Sequence, residues 1–148
     1  MRIRAVALLI QNDSIAVMER HRGGRHYFTF PGGGVDAGEA VERAVVREVE
    51  EELGIQVRVM RQVATVWFNG NRQDYFLVEQ TGGTFGTGSG EEFTSGYDAM
   101  HGTYHPMWMP ISALAANPIL PPEIAELVTE SHVHGWPRGV VTMHTLPR

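Results

Sequence analysis

The chain has 148 residues, 43% of them hydrophobic, and a formal net charge of -5. That length fits a single domain, 1–148, the apolar fraction argues against global disorder, and the acidic balance argues against a nucleic-acid polymer as partner. There is no cysteine and all 12 basic residues are arginine, which excludes disulfides, thiolate metal sites, cysteine nucleophiles and Schiff-base chemistry, and leaves arginine as the bidentate phosphate ligand.

Ile3 to Ile10 is apolar and β-branched, as a central strand requires. It is too short to span a bilayer, and no secretory signal is visible, so a soluble, cytoplasmic protein with no membrane partner is expected. Gln11 to Ser14 has turn chemistry. Ile15 to Glu19 predicts a second strand, hence a hairpin. Arg20 to His26 reads as a basic, glycine-containing loop, and Tyr27 to Phe30 as a short aromatic strand stopped by Pro31. Gly32-Gly33-Gly34 and Asp36-Ala37-Gly38 read as an irregular loop.

Helix signals begin near Glu39. Val45, Val49 and Leu53 recur at four-residue spacing, with Val46 on the same side, so this stripe faces the core. Gly54 is a C-terminal stop. Within this helix Arg47-Glu48-Val49-Glu50-Glu51-Glu52 packs four carboxylates into five residues. Residues three and four apart share a helix face, so Glu48, Glu51 and Glu52 sit together while Glu50 faces solvent. Like charges so placed destabilise a helix unless something neutralises them. Mg2+ takes oxygen ligands and binds through a few carboxylates plus substrate phosphates. The pattern therefore predicts a magnesium site built for phosphate chemistry, about a third of a turn from the buried stripe.

Ile55 to Phe68 and Tyr75 to Gln80 predict strands around an Asn69-Gly70-Asn71 turn. Thr81 to Gly90 reads as a glycine-rich loop, Tyr104 to Met109 as a strand, and Ser112 to Ala116 as one helical turn. Pro121-Pro122 opens a helix through about Glu130, and Gly139 to His144 predicts a final edge strand. Trp67, Phe68, Tyr75, Phe76 and Trp108 are core or pocket wall, and His132, His134 and His144 are surface residues. A rival pattern exists: Gly32-x-Gly34-x-x-Ala37 fits a dinucleotide fingerprint. It lacks the acidic residue that should close the next strand, where Arg58 and Arg61 stand.

The spacing Gly33-x5-Glu39-x7-Arg47-Glu48-Val49-x-Glu51-Glu52-x-Gly54-Ile55 matches in full the signature of the Nudix hydrolases. The resemblance extends more loosely to the N-terminal hairpin, the FTFPGGG lead-in and Trp108-Met109-Pro110. It implies an α/β fold, a mixed β-sheet sandwiched between helices. It implies an enzyme that hydrolyses a nucleoside diphosphate linked to another group. Water attacks a phosphorus of the diphosphate bridge, assisted by Mg2+ or Mn2+. The substrate is a small nucleotide, with (deoxy)nucleoside triphosphates, including oxidised ones, as the leading class. ADP-ribose or another nucleotide sugar is the alternative, although the proline that marks ADP-ribose hydrolases is replaced by Gly70. A non-catalytic, nucleotide-sensing domain is the second alternative.

Carried over residue by residue, the resemblance assigns the metal to Glu48, Glu51, Glu52 and the Gly32 carbonyl. It makes Glu52 or Glu48 the general base and Arg47 the residue that orients the carboxylates. Glu39 is structural, with Arg43 as a partner. Arg20 and Gly33 are the expected substrate contacts. Glu91 or Glu92 is a candidate late-loop ligand or base, with Asp98, His101 and His105 as further candidates. Many members of the family dimerise, so a homodimer is one expected state.

Overall fold

The structure, a computed structural model, describes residues 1–88 and 102–145. Among the described residues, nine strands form one curled mixed sheet. They are β1 (Ile3–Gln11), β2 (Ser14–Arg22), β3 (Arg25–Thr29), β4 (Gly32–Gly34), β5 (Ile55–Phe68), β6 (Asn71–Gly83), β7 (Thr103–Pro110), β8 (Ile119–Leu120) and β9 (Val141–Thr145). Helix α1 (Val41–Leu53) follows β4, a 3-10 helix (Ile111–Ala116) follows β7, and helix α2 (Pro122–His134) follows β8. The strand order is β8-β3-β2-β1-β6-β5-β9, with β4 also pairing with β1 and β7 with β2.

Strand β1 shows why the sheet is covered on both sides. Its successive side chains point to opposite faces, and both sets are apolar. Ala5, Ala7 and Leu9 pack with Ala44, Val45, Val49 and Leu53 of α1. Val6 and Leu8 pack on the other side with Ile124, Ala125 and Val128 of α2. Strand β2 repeats the division, with Ala16 and Met18 toward α1 and Ile15 and Val17 toward α2. The α/β arrangement expected from the sequence, a mixed sheet between helices, is what the chain adopts. β4 and β5, the strands before and after α1, are separated in the sheet by β1 and β6, unlike the adjacent parallel strands of the βαβ unit that the dinucleotide fingerprint requires.

Two sequence expectations are corrected here. Arg20 to His26 is not a loop. β2 and β3 continue through it with His21 opposite His26 and Arg22 opposite Arg25. The turn is Gly23-Gly24 alone, with φ of 57° and 78°, the two-residue geometry that matches strand twist. Gly32 to Gly34 is not irregular either, since Arg4, Ala5 and Val6 pair with Gly34, Gly33 and Gly32. Glycine propensity argues against a strand, but the pairing to β1 prevails.

The hairpin of β1 and β2 opens soon after it forms. The two strands pair only at Ile10–Ile15 and Gln11–Ser14. Beyond that, β1 pairs with β4 while β2 pairs with β3 and β7. The cleft described below lies where these strands diverge.

Helix α1 ends at Gly54, whose φ of 78° is left-handed and whose N–H donates to the Glu50 carbonyl, as the sequence leads one to expect. Its packing rests on fully buried Val45, Val49 and Leu53. Leu53→Ala is expected to cost about 2–5 kcal/mol of unfolding free energy, measured by chemical denaturation. A loss below about 1 kcal/mol would show that the α1 face is not close-packed.

Candidate active site

The cleft, about 220 Å³, is lined by an acidic wall, Glu48 and Glu52 of α1 with Gly32 and Gly33 of β4, and by an arginine wall, Arg2, Arg4 of β1 and Arg20 of β2, with Tyr104 of β7.

The acidic wall depends on a close backbone approach. A Cβ placed on Gly33 would lie 2.3 Å from the Glu48 carboxyl carbon, and one on Gly32 would lie 2.4 Å from the Ala5 carbonyl oxygen. Glycine at both positions lets β4 fit between β1 and α1. Glu52 is only 6% exposed, and the Gly32 N–H donates to its Oε2 at 3.1 Å. Burial of a carboxylate is tolerated where a donor or a cation compensates it. Glu51 shares the helix face but stands outside the lining, half exposed at the rim. Glu50 is exposed and accepts from Gln56 Nε2 at 2.9 Å.

Arg47 ties these groups together. Its Nε and Nη2 donate to the two oxygens of Glu39, each at 2.9 Å, and Nη2 also donates to the Gly34 carbonyl at 3.0 Å. Nη1 donates to Glu48 at 2.9 Å and to Glu51 at 3.4 Å. The Arg47–Glu51 pairing expected from the i,i+4 spacing is thus present but longer than those to Glu39 and Glu48. Glu39 pairs with Arg47 rather than with Arg43, because the loop before α1 folds back over the helix. The Arg47 guanidinium, helped by the Asp36 N–H, holds the Glu39 carboxyl down from 4.5 to about 2. The same pairing raises Arg47 above its ordinary range.

On the arginine wall, the Arg20 guanidinium stacks 3.6 Å from the Tyr104 ring centroid and 5.6 Å from that of Tyr27. Arg4 Nη2 donates to the Gly32 carbonyl at 3.4 Å, and Arg4 Nε is buried without a hydrogen-bond partner among the described residues.

A family model described as the NUDIX domain matches residues 1–130. The chain belongs to the NUDIX family. It is similar to the RNA pyrophosphohydrolase of Cronobacter sakazakii, at 42% identity over 60 residues, covering 40% of this chain and 34% of that protein. The RNA pyrophosphohydrolase of Shewanella loihica is 45% identical over 93 residues, covering 50% and 53%. The chain thus spans about a third to a half of the length of these curated relatives. Among solved structures, an ADP-ribose pyrophosphatase from Streptococcus suis superposes with a TM-score of 0.68 at 20% identity, covering 97% of this chain and 98% of that one. That likeness is one of fold. NUDIX hydrolases generally use divalent metal ions. Among the described residues, no helix is long and apolar enough to cross a membrane.

In this NUDIX chain the structure brings Gly32, Gly33, Glu48, Glu52 and Arg20 into one cleft, with Glu51 and Arg47 beside it. Glu91, Glu92, Asp98 and His101 lie outside the described residues. His105 is on β7 opposite Glu19, in the position of a cross-strand neighbour, and does not line the cleft. Sequence reasoning missed Arg2, Arg4 and Tyr104. The signal for Arg4 was available, since a charge inside an apolar central strand is unusual.

The Glu39–Arg47 pair has a defined pH signature. Because the folded Glu39 carboxyl is held near 2 and its ordinary value is 4.5, the stability it adds is fully present above the ordinary value and is lost as pH falls through the folded one. The difference in melting temperature between the wild type and Glu39→Gln is expected to be constant at neutral pH and to shrink between 4.5 and about 2. A difference that stays flat across that window would refute the pairing.

Proposed function

We propose that the chain is a Mg2+- or Mn2+-dependent diphosphohydrolase. Water attacks a phosphorus of a nucleoside diphosphate bridge held between the two walls of the cleft. The observation that carries this reading is the presence of Glu48 and Glu52 together with Arg2, Arg4 and Arg20 in the lining of one cleft. A lone acidic face would be a solvated helix surface, and a lone arginine cluster an anion patch. Together they suit a polyanion and a hard cation at once.

The donors fit such a cation. Carboxylate oxygens of Glu48, Glu52 and Glu51, with the Gly32 carbonyl, make an all-oxygen set of the kind Mg2+ prefers. The bound ion would neutralise the diphosphate and make water a stronger nucleophile. Arg47 orients Glu48 and Glu51 through its Nη1. Glu52 accepts the proton of the attacking water, its second oxygen fixed by the Gly32 N–H. Gly33 leaves room for Glu48 and presents its backbone to the substrate. Arg20, kept in place by Tyr104 and Tyr27, binds phosphate oxygens, and Arg4 Nε offers an unused donor to the same chain. Three arginines favour a triphosphate over a nucleotide sugar, since each further phosphate adds charge for them to meet.

Glu52→Gln is expected to lower turnover by about 10²–10⁴-fold, the usual contribution of a general base, with an unchanged circular dichroism spectrum. Near-normal Mg2+-dependent turnover would remove Glu52 from that role. The assay is phosphate and pyrophosphate release from nucleoside triphosphates, oxidised triphosphates, ADP-ribose and triphosphate-ended RNA, with and without EDTA. Absence of metal-dependent turnover on every substrate would leave a nucleotide-sensing domain.

Gly33→Ala tests the close approach. Its new methyl must displace the Glu48 carboxylate, and a shift of about 1 Å in a reacting group costs roughly 10²-fold. A loss of that order is expected in kcat, read by steady-state kinetics. Wild-type kcat in a folded Gly33→Ala would mean that Glu48 has room elsewhere.

A further inference from the structure

Strand β2 carries a second cluster of ligating side chains on the face away from the cleft. Met18 and Arg20 line the cleft, so by strand alternation Glu19 and His21 project to the opposite side. Across the ladder His21 pairs with His26 of β3, and Glu19 with His105 of β7. Directly opposed residues in antiparallel strands share a face, so three histidines and one glutamate occupy it. One ligand atom from each of Glu19, His21 and His26 lies within 4.8 Å of the others. His26 Nε2 is 2.8 Å from Glu19 Oε2, and the His21 and His26 rings stack at 4.3 Å with planes 2° apart.

We propose that Glu19, His21 and His26 bind a zinc-class dication, with His105 as the fourth donor. A simple ion pair would need only Glu19 and one imidazole. Here a second imidazole is stacked on the first, and a third stands in register across the neighbouring strand. Zn–N and Zn–O bonds are about 2.0–2.2 Å, so tetrahedral donors sit roughly 3.3–3.5 Å apart. Glu19, His21 and His26 start with ligand atoms within 4.8 Å of one another, whereas His105 stands outside that group, across the ladder from Glu19, and would join by rotation of its exposed side chain. The arginines of the same hairpin do not oppose the cation. Arg22 and Arg25 stand opposite each other in the β2–β3 ladder and by alternation share the face of Arg20, and the Arg25 guanidinium lies 5.1 Å from the Tyr27 ring centroid.

Donor chemistry separates this site from the cleft. Imidazoles suit zinc, copper and nickel, whereas carboxylates and carbonyls suit magnesium and manganese. Zinc would clamp β3 and β7 to β2. The clamp lies back to back with Arg20, so its role is to stiffen the hairpin that positions the arginine wall.

The test is a zinc titration of the full, untagged chain saturated with Mg2+, followed by competition with a chromophoric chelator and by thermal melting. The wild type is expected to take up one zinc and to melt higher when loaded. His21→Ala and His26→Ala are each expected to lose about tenfold or more in zinc affinity and to lose the stabilisation, while Glu52→Gln keeps both. Circular dichroism of the metal-free histidine variants establishes that they fold, which two exposed positions allow. No uptake by the wild type, or unchanged affinity in both folded histidine variants, would overturn the proposal.

Discussion

The contact between a strand of three glycines and a helix of carboxylates governs the rest of this molecule. β4 occupies the gap between β1 and α1, and neither neighbour leaves space for a side chain. One side of the glycine strand meets the Ala5 carbonyl and the other meets the Glu48 carboxyl. Because β4 also pairs with β1 by hydrogen bonds, the helix is held at a fixed height above the sheet. The carboxylates then face the opening left where β1 and β2 part. A bulkier strand would push α1 outward and carry Glu48 away from the other residues that line the cleft.

Charge is distributed unevenly around that contact. Three carboxylates on one helical face repel one another, and the fold sets against them Arg47, shared among Glu39, Glu48 and Glu51. Glu39 takes two of the Arg47 hydrogen bonds, and its carboxyl is held down to about 2. Arg47 is thereby committed to the frame of the site. The arginines that line the cleft come from elsewhere: Arg2, Arg4 of β1 and Arg20 of β2. Frame and cleft lining thus use the same residue type from separate parts of the chain.

Local patterns made much of this legible. The α1 stripe, its glycine stop, both faces of β1 and the grouping of Glu48 with Glu52 follow from periodicity and box spacing. The Asn69-Gly70 turn and the proline-led α2 were equally plain. The misreadings share one cause, which is tertiary pairing overriding composition. Glycines 32 to 34 have no strand propensity and form a strand because β1 offers a ladder. Arg20 to His26 looked like a polar loop because its alternation has charged or polar residues on both sides, so no apolar face marks it as sheet. The partnership of Glu39 with Arg47, eight residues apart, depends on how the preceding loop folds back, and helical spacing could suggest only Arg43. Arg4 joins Arg20 only because their strands diverge from a common hairpin.

The run Met18-Glu19-Arg20-His21-Arg22 places two unlike chemistries back to back on a ribbon one residue thick. Its register is fixed by the Gly23-Gly24 turn at one end and by Pro110 opposite Ser14 at the other. An inserted or deleted residue within it would exchange the faces, turning the histidines toward the cleft and the arginines away. Such a change would preserve composition, net charge and most of the buried surface. Length in this strand is therefore a more stringent constraint on the protein than the identity of any one residue it carries.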